Sequence, residues 1–362
     1  MINQTTLAKY LFKLFASYFL LTSIVIIGLL FLSNAFDVIQ KFKSTDISPQ
    51  IFWQLISLKI PHLYNEISVL IGFLSTILFL RKLITQNELI IITSSGIPIW
   101  KIFIIPISAT FAFGTIILVL INPLGTYGMK QYKYLESTIT NKPQDNFIVL
   151  NSGIFFFENY LNSNRVIQAK SIHSAKKELH DVTILVVDNS NQFNKRIDAD
   201  KAILDHNNFT LINSKIITHD NIEKKEIMNM PTKLSIDNLV QRFIPAEMIL
   251  IWRLKKTINS FVKSGIATIT YQLYYYKQLF KPIIMSAMAF LSCWFISLNI
   301  RDNSGTKTLA FSVLLGIIVY FLFEIILRIL AFGGVHPIIA TLLPVLFIIL
   351  ISNFVILHFQ EA

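Results

Sequence analysis

Lys59, His62 and Glu66 fall at i, i+3 and i+7 inside an otherwise apolar stretch, so an ammonium, an imidazole and a carboxylate share one helical face. Such a stripe could line a polar path for a charged substrate. A second reading stands beside it, in which Lys59 snorkels to an interface and Glu66 bonds a neighbouring helix. Charged groups deep in hydrocarbon cost about 2.5–3.5 kcal/mol each on insertion scales, so they persist only with partners or against a cavity. Pro61, inside the pattern, predicts a kink.

Asp37, Lys41 and Lys43 close the first apolar run. Cations there suit an anionic lipid headgroup, or Lys41 simply pairs with Asp37 at i, i+4. Glu324 and Arg328 show the same spacing and are expected to neutralise each other. Tyr271, Tyr274, Tyr275, Tyr276, Lys277 and Lys281, followed by Pro282, read as an interfacial aromatic belt or as a groove for acyl chains. No Gly-x-x-x-x-Gly-Lys-Ser/Thr loop, His-Glu-x-x-His, Cys-x-x-Cys or Gly-x-Ser-x-Gly occurs, and His173, His180, His206 and His219 lack metal-ligand spacing. No catalytic residue and no metal site is expected.

Gln86 to Lys101 reads QNELIIITSSGIPIWK. Thr85-x-x-Glu88 has the form of a capping box, and Gly96 suits a left-handed stop with Pro98 two residues on, which predicts a helix over about 86–95. Leu89 to Ile92 are apolar on nearly every side, more than one membrane-facing stripe requires. Either a second surface covers them, such as a nucleotide-hydrolysing partner, or the helix lies in the membrane interface.

The elements that must position these groups follow from composition. Of the 362 residues, 53% are hydrophobic and 15% charged, against about a quarter charged in ordinary soluble domains. The net charge of +11 is scattered, without the basic run or motif that nucleic-acid binding would show. The lone Cys293 sits in an apolar run and forms no internal disulfide. Six stretches are long enough to span about 30 Å of hydrocarbon: about 11–33, 52–80, 102–122, 279–299, 309–332 and 337–358. The first exceeds the apolar core of a cleaved signal peptide. Between the third and fourth lies a polar block with alternating strands, 146–150, 182–187 and 209–213 among them. The expected architecture is therefore membrane α-helical: spans one to three in 1–124, an inserted all-β sandwich or jelly-roll-like domain in 125–265, and spans four to six in 266–362.

Lys9, Lys13, Arg81, Lys82, Lys101, Arg301 and Lys307 fall on one side of these spans, against Lys41, Lys43 and Arg328 on the other. The positive-inside rule then puts both termini and residues 86–95 in the cytoplasm and the β domain outside.

Several segments in this order resemble the LptF/LptG permeases of the lipopolysaccharide export ABC transporter of Gram-negative bacteria. They are Asn87-Glu88-Leu89 with Ser95-Gly96, Ser264-Gly265, Tyr271-Gln272-Leu273, Lys281-Pro282, Leu315-Gly316 with Tyr320, and residues 334–344, GVHPIIATLLP. The Tyr-Gln-Leu and 334–344 segments look more like LptG than LptF. The resemblance implies an inner-membrane permease that pairs with an LptF-like second permease and an LptB-like ATPase dimer. ATP is then bound by that partner, and this chain needs no cofactor. It also implies that 86–95 is a coupling helix, with Glu88, Leu89, Ile92 and Gly96 at the ATPase contact, and that first and fifth spans form gates to a cavity. Lipopolysaccharide phosphates would meet Lys41 and Lys43, with Lys59 and Arg328 as further candidates. The jelly roll would pass substrate to LptC-like and LptA-like periplasmic proteins. Rival expectations are the sibling LptF, a membrane scaffold that transports nothing, and an envelope enzyme acting on lipid headgroups.

Overall fold

The computed structural model describes residues 4–43, 48–140, 147–150, 153–160, 163–173, 178–188, 193–205, 208–218, 221–232, 245–263, 268–297 and 305–360. In chain order the helices and strands are α1 (Gln4–Lys41), α2 (Pro49–Thr85), α3 (Glu88–Ser94), α4 (Ile99–Ile116), α5 (Asn122–Thr140), β1 (Phe147–Leu150), β2 (Gly153–Tyr160), β3 (Ser163–His173), β4 (Glu178–Asp188), β5 (Phe193–Asp205), β6 (Asn208–Ile217), β7 (Ile222–Pro231), α6 (Ile251–Lys263), α7 (Ile269–Leu279), α8 (Lys281–Ser297), α9 (Gly305–Phe332) and α10 (Pro337–Gln360). Two compact units result, residues 1–139 with 273–362, and residues 140–272.

Among the described residues, five helical stretches are long and apolar enough to cross a membrane: Thr5–Lys41, Pro49–Thr85, Ile99–Thr140, Ala310–Phe332 and Pro337–Phe354. Where the sequence predicts a sixth at 279–299, the described residues hold α8, Lys281–Ser297, preceded by α7. The break between them is local. Phe280 N–H still donates to Tyr276 O (2.9 Å) and Ile284 N–H to Phe280 O (3.0 Å), but Pro282 has no N–H to give, so the helical run divides at Phe280. The third stretch passes from α4 through a π-helical turn, Ile117–Ile121, into α5.

α2 is the central post of the helical unit. Its most apolar window is 61% buried, against 28% for those of α1 and α9, and α1, α8 and α9 all pack on it. α2 continues through Pro61, the expected kink position. Phe19 of α1 stacks on Phe113 of α4 at 4.3 Å between centroids, and Phe15 meets Phe79 of α2 edge-on at 5.7 Å. Two close approaches need glycine. A Cβ on Gly128 would run into the backbone carbonyl of Leu58, and one on Gly316 into the Phe73 ring, so α5 and α9 lie directly against α2.

The second unit holds a seven-stranded antiparallel sheet among the described residues, in the order β1-β2-β3-β4-β5-β6-β7. Every strand pairs with its neighbour in sequence, an up-and-down meander. Alternation puts Val182, Ile184 and Val186 on the buried face, as period-2 patterning requires. A crease crosses the sheet. The ladders skip Lys170 opposite Asp181, Asp181 opposite Asp200, Asp200 opposite Asn213, and Asn213 opposite Glu226. Asp181 and Asn213 take left-handed φ values of 50° and 55° there, a conformation Asp and Asn tolerate better than other L-residues with a Cβ. On crossing the line the buried set changes phase, from Leu179 to Val182 and from Ala199 to Ala202.

One charge network links four helices of this unit. Lys281, 1% exposed, donates to Asn65 O and Asn65 Oδ1, both at 2.7 Å. Asn65 Nδ2 donates to Gln278 Oε1 (3.2 Å), and Gln278 Nε2 donates to Glu66 Oε1 (3.0 Å). Lys277 Nζ lies 3.2 Å from Glu66 Oε2 and 2.6 Å from Glu324 Oε1. Tyr320 OH donates to Glu66 O at 3.3 Å. Two ammonium groups thus face two carboxylates across α2, α7, α8 and α9, the arrangement that lets charge persist in apolar surroundings.

Lys277→Met should leave Glu66 and Glu324, both half-buried, as unpaired like charges and destabilise the protein by about 1–3 kcal/mol, less than for a fully buried pair because solvent reaches Glu66. Adding Glu324→Gln should restore part of that loss. Thermal unfolding of the purified protein in detergent would check both, and an unchanged melting temperature for Lys277→Met would contradict the network's role.

Candidate functional site

α3 joins α2 by a two-residue turn. Thr85 is the last residue of α2, and its hydroxyl donates to Lys82 O (3.1 Å), so the expected capping box does not form. Instead Asn87 takes a left-handed conformation (φ 57°) and its carbonyl accepts the first helical bond, from Ile91 N–H at 3.1 Å. The far end follows expectation. Gly96 sits at φ 85°, its N–H donates to Thr93 O (3.0 Å), and Pro98 precedes α4.

The helix divides its aliphatic residues between two faces. Leu89 and Ile92 are 3% and 6% exposed and belong to the apolar core of the helical unit. Ile90 and Ile91 are 57% and 59% exposed. The chain therefore covers two of the four residues from Leu89 to Ile92 itself, because a helix one face of which packs on α2 must turn the adjacent pair outward. Glu88 opens the helix, and Tyr10 OH of α1 lies 3.0 Å from both its carboxylate oxygens. With its amide oriented to satisfy both ends, Gln86 also donates to Glu88 Oε1 at 3.0 Å. The result is a fixed carboxylate beside two bare isoleucines, on a helix anchored to the core by Leu89 and Ile92.

A second polar cluster lies at the C-terminal end of α1. Lys41 pairs with Glu136 of α5 at 2.7 Å, and Lys133 approaches the same carboxylate at 3.4 Å. Asp37 pairs with Lys59 of α2 at 3.6 Å rather than with Lys41. Both lysines lie over the Tyr132 ring, at 5.4 Å for Lys41 and 5.9 Å for Lys59, a cation–π arrangement that brings two like charges to one aromatic ring. Lys41 and Lys59, predicted separately, are thus brought together. Lys43 is exposed just beyond α1.

Other expected pairings change partner. Glu324 reaches Lys277 rather than Arg328, and Arg328 is exposed on α9. Lys277 and Lys281, read as interfacial from their place beside the tyrosines, turn inward to Glu66 and Asn65. The stripe Lys59-His62-Glu66 is split, Lys59 facing Asp37 and Glu66 facing Lys277. Sequence reasoning missed Gln278, fully buried between Asn65 and Glu66. The signal that could have found these groups was Glu66 itself, whose charge required a cation on another helix. Ser264, Gly265, His206, His219 and Arg301 lie outside the described residues. Among the described residues, no three potential metal-ligating side chains gather in one place.

No curated protein matches the chain. The family model of the lipopolysaccharide export system permease LptF/LptG matches residues 9–358. An apolar helical unit, a separate antiparallel β unit and a match over nearly the whole length have one reading: the chain belongs to the LptF/LptG family of lipopolysaccharide export permeases.

Proposed function

We propose that this chain is the LptG-like permease half of an ABC transporter that extracts lipopolysaccharide from the inner membrane and passes it to a periplasmic bridge. Family membership supports a role in the lipopolysaccharide export pathway. The finer reading rests on α3. Two exposed isoleucines beside a held carboxylate, on a short helix joined to the central post by a two-residue turn, suit a docking surface for a cytosolic LptB-like ATPase dimer, which supplies ATP hydrolysis that this chain does not. Glu88, with Ile90 and Ile91, makes that contact, while Leu89, Ile92 and Gly96 hold the helix in place.

In this reading the chain spans the membrane six times, with α7 and α8 together forming the fourth crossing. Both termini are cytoplasmic and the β unit is periplasmic. That unit, an up-and-down meander where a jelly roll was expected, hands substrate to LptC-like and LptA-like proteins. α1 and α9 leave most of their apolar windows unburied, which suits gate helices that meet an LptF-like second permease and lipid. Lys41 and Lys59 on Tyr132, with Lys43 beside them and Arg328 on α9, receive the anionic headgroup. Lys41 would exchange Glu136 for a substrate phosphate.

The double change Ile90→Asp with Ile91→Asp should reduce copurification of the ATPase at least about tenfold without lowering the melting temperature, since both side chains are exposed. Leu89→Ala should do the reverse, costing about 2–5 kcal/mol of stability as a core truncation. Undiminished copurification with the double variant would refute the assignment of α3.

Lys41→Gln with Lys43→Gln should lower photo-crosslinking of lipopolysaccharide to α1 roughly tenfold or more, from about 1 kcal/mol for each cation near an anionic headgroup. Glutamine avoids setting a new carboxylate against Glu136. Unchanged crosslinking would exclude these lysines from the substrate site.

A further inference from the structure

α6 has two faces of different chemistry. Ile251, Leu254, Ile258 and Phe261, at i, i+3, i+7 and i+10, are all buried and form the stripe that seats the helix on its own unit, where it lies against β1. The opposite face carries Trp252, Lys255, Lys256, Asn259 and Val262, with Arg253 beside them, all exposed. Trp252 is 62% exposed and Val262 55%. The helix contains no Asp or Glu, and no ion pair among the described residues uses Arg253, Lys255 or Lys256. A merely solvated face needs cations but has no use for a bare tryptophan.

The last turn of this helix meets the first turn of α7. Phe261 stands edge-on to Tyr271 at 5.0 Å between centroids, and Tyr271 is 8% exposed. From Tyr271 the chain runs through Tyr274, Tyr275 and Tyr276 to the apolar helix Lys281–Trp294. A cationic face with no ion pair among the described residues and an exposed tryptophan, fastened to the residues that lead into an apolar helix, has the composition of a helix that lies flat in a bilayer interface.

We propose that the outward face of α6 binds the anionic phospholipid headgroups of the bilayer surface, Arg253, Lys255 and Lys256 meeting phosphates and Trp252 resting at the headgroup boundary. Charge complementarity carries the choice of occupant. The contact anchors the β unit to the membrane independently of which subunits the permease recruits, so the proposal stands apart from the reading of α3.

The test uses the full chain reconstituted into vesicles of phosphatidylcholine alone or of phosphatidylcholine mixed with phosphatidylglycerol, with hydroxyl-radical oxidation of Trp252 read by mass spectrometry. Oxidation of Trp252 should fall at least about fivefold in the anionic vesicles relative to the neutral ones. The triple change Arg253→Glu, Lys255→Glu, Lys256→Glu should abolish that difference, whereas Lys224→Glu with Lys225→Glu, on exposed β7, should preserve it. Equal oxidation in the two lipids would overturn the proposal. So would protection that appears only when an acidic protein is added, which would assign the face to a protein partner.

Discussion

Lys277, held between Glu66 and Glu324, is the contact on which the helical unit depends. In apolar surroundings an ammonium and two carboxylates cannot stand apart, and each hydrogen-bonding position left empty is costly. The second basic residue, Lys281, is bound by Asn65 one residue before Glu66. These demands determine how α7 and α8 are rotated and bring α9 against α2. Gly316 then becomes necessary, because Tyr320 can reach Glu66 O only if α9 lies on the Phe73 ring. The family-like pair Leu315-Gly316 with Tyr320 is, in physical terms, the packing that closes this network.

The same post carries α3. Leu83 to Glu66 is seventeen residues of α2, about 26 Å of helix. A force on Ile90 and Ile91 reaches α2 through Leu89 and Ile92, both locked in the core, and travels along one rigid helix to the charge network. At the far end of that helix Lys59 faces Asp37 of α1, and Lys41 of α1 faces Glu136 of α5. Ion pairs between helices can break and re-form with new partners, whereas packed aliphatic contacts shift less readily. That difference suits a structure in which α2 remains fixed and α1 and α9 rearrange.

Much of this architecture was legible in the residues, and the failures have physical causes. The apolar runs gave the long helices, and period-2 alternation at 182–187 and 209–213 marked β4 and β6. Gly96 and Pro98 marked the end of α3 because the left-handed stop depends on the residue alone. Thr85 misled because it belongs to α2, whose helical hydrogen bonds outcompete a cap. Lys277 and Lys281 were expected to face an interface and instead turn into the helical unit, since sequence position does not say which way a side chain points. The crease could not be foreseen, because the left-handed turns at Asp181 and Asn213 carry no periodic signal. At α3 the run Leu89 to Ile92 showed that burial was needed, but not that the chain itself would satisfy half of it.

The central claim is that the outward face of α3 docks a nucleotide-hydrolysing subunit. A photo-crosslinking side chain at position 91, activated in native membranes, tests it most directly. The account predicts a covalent adduct with the cytosolic ATPase. Adducts with lipid alone, or with a periplasmic protein, would contradict it.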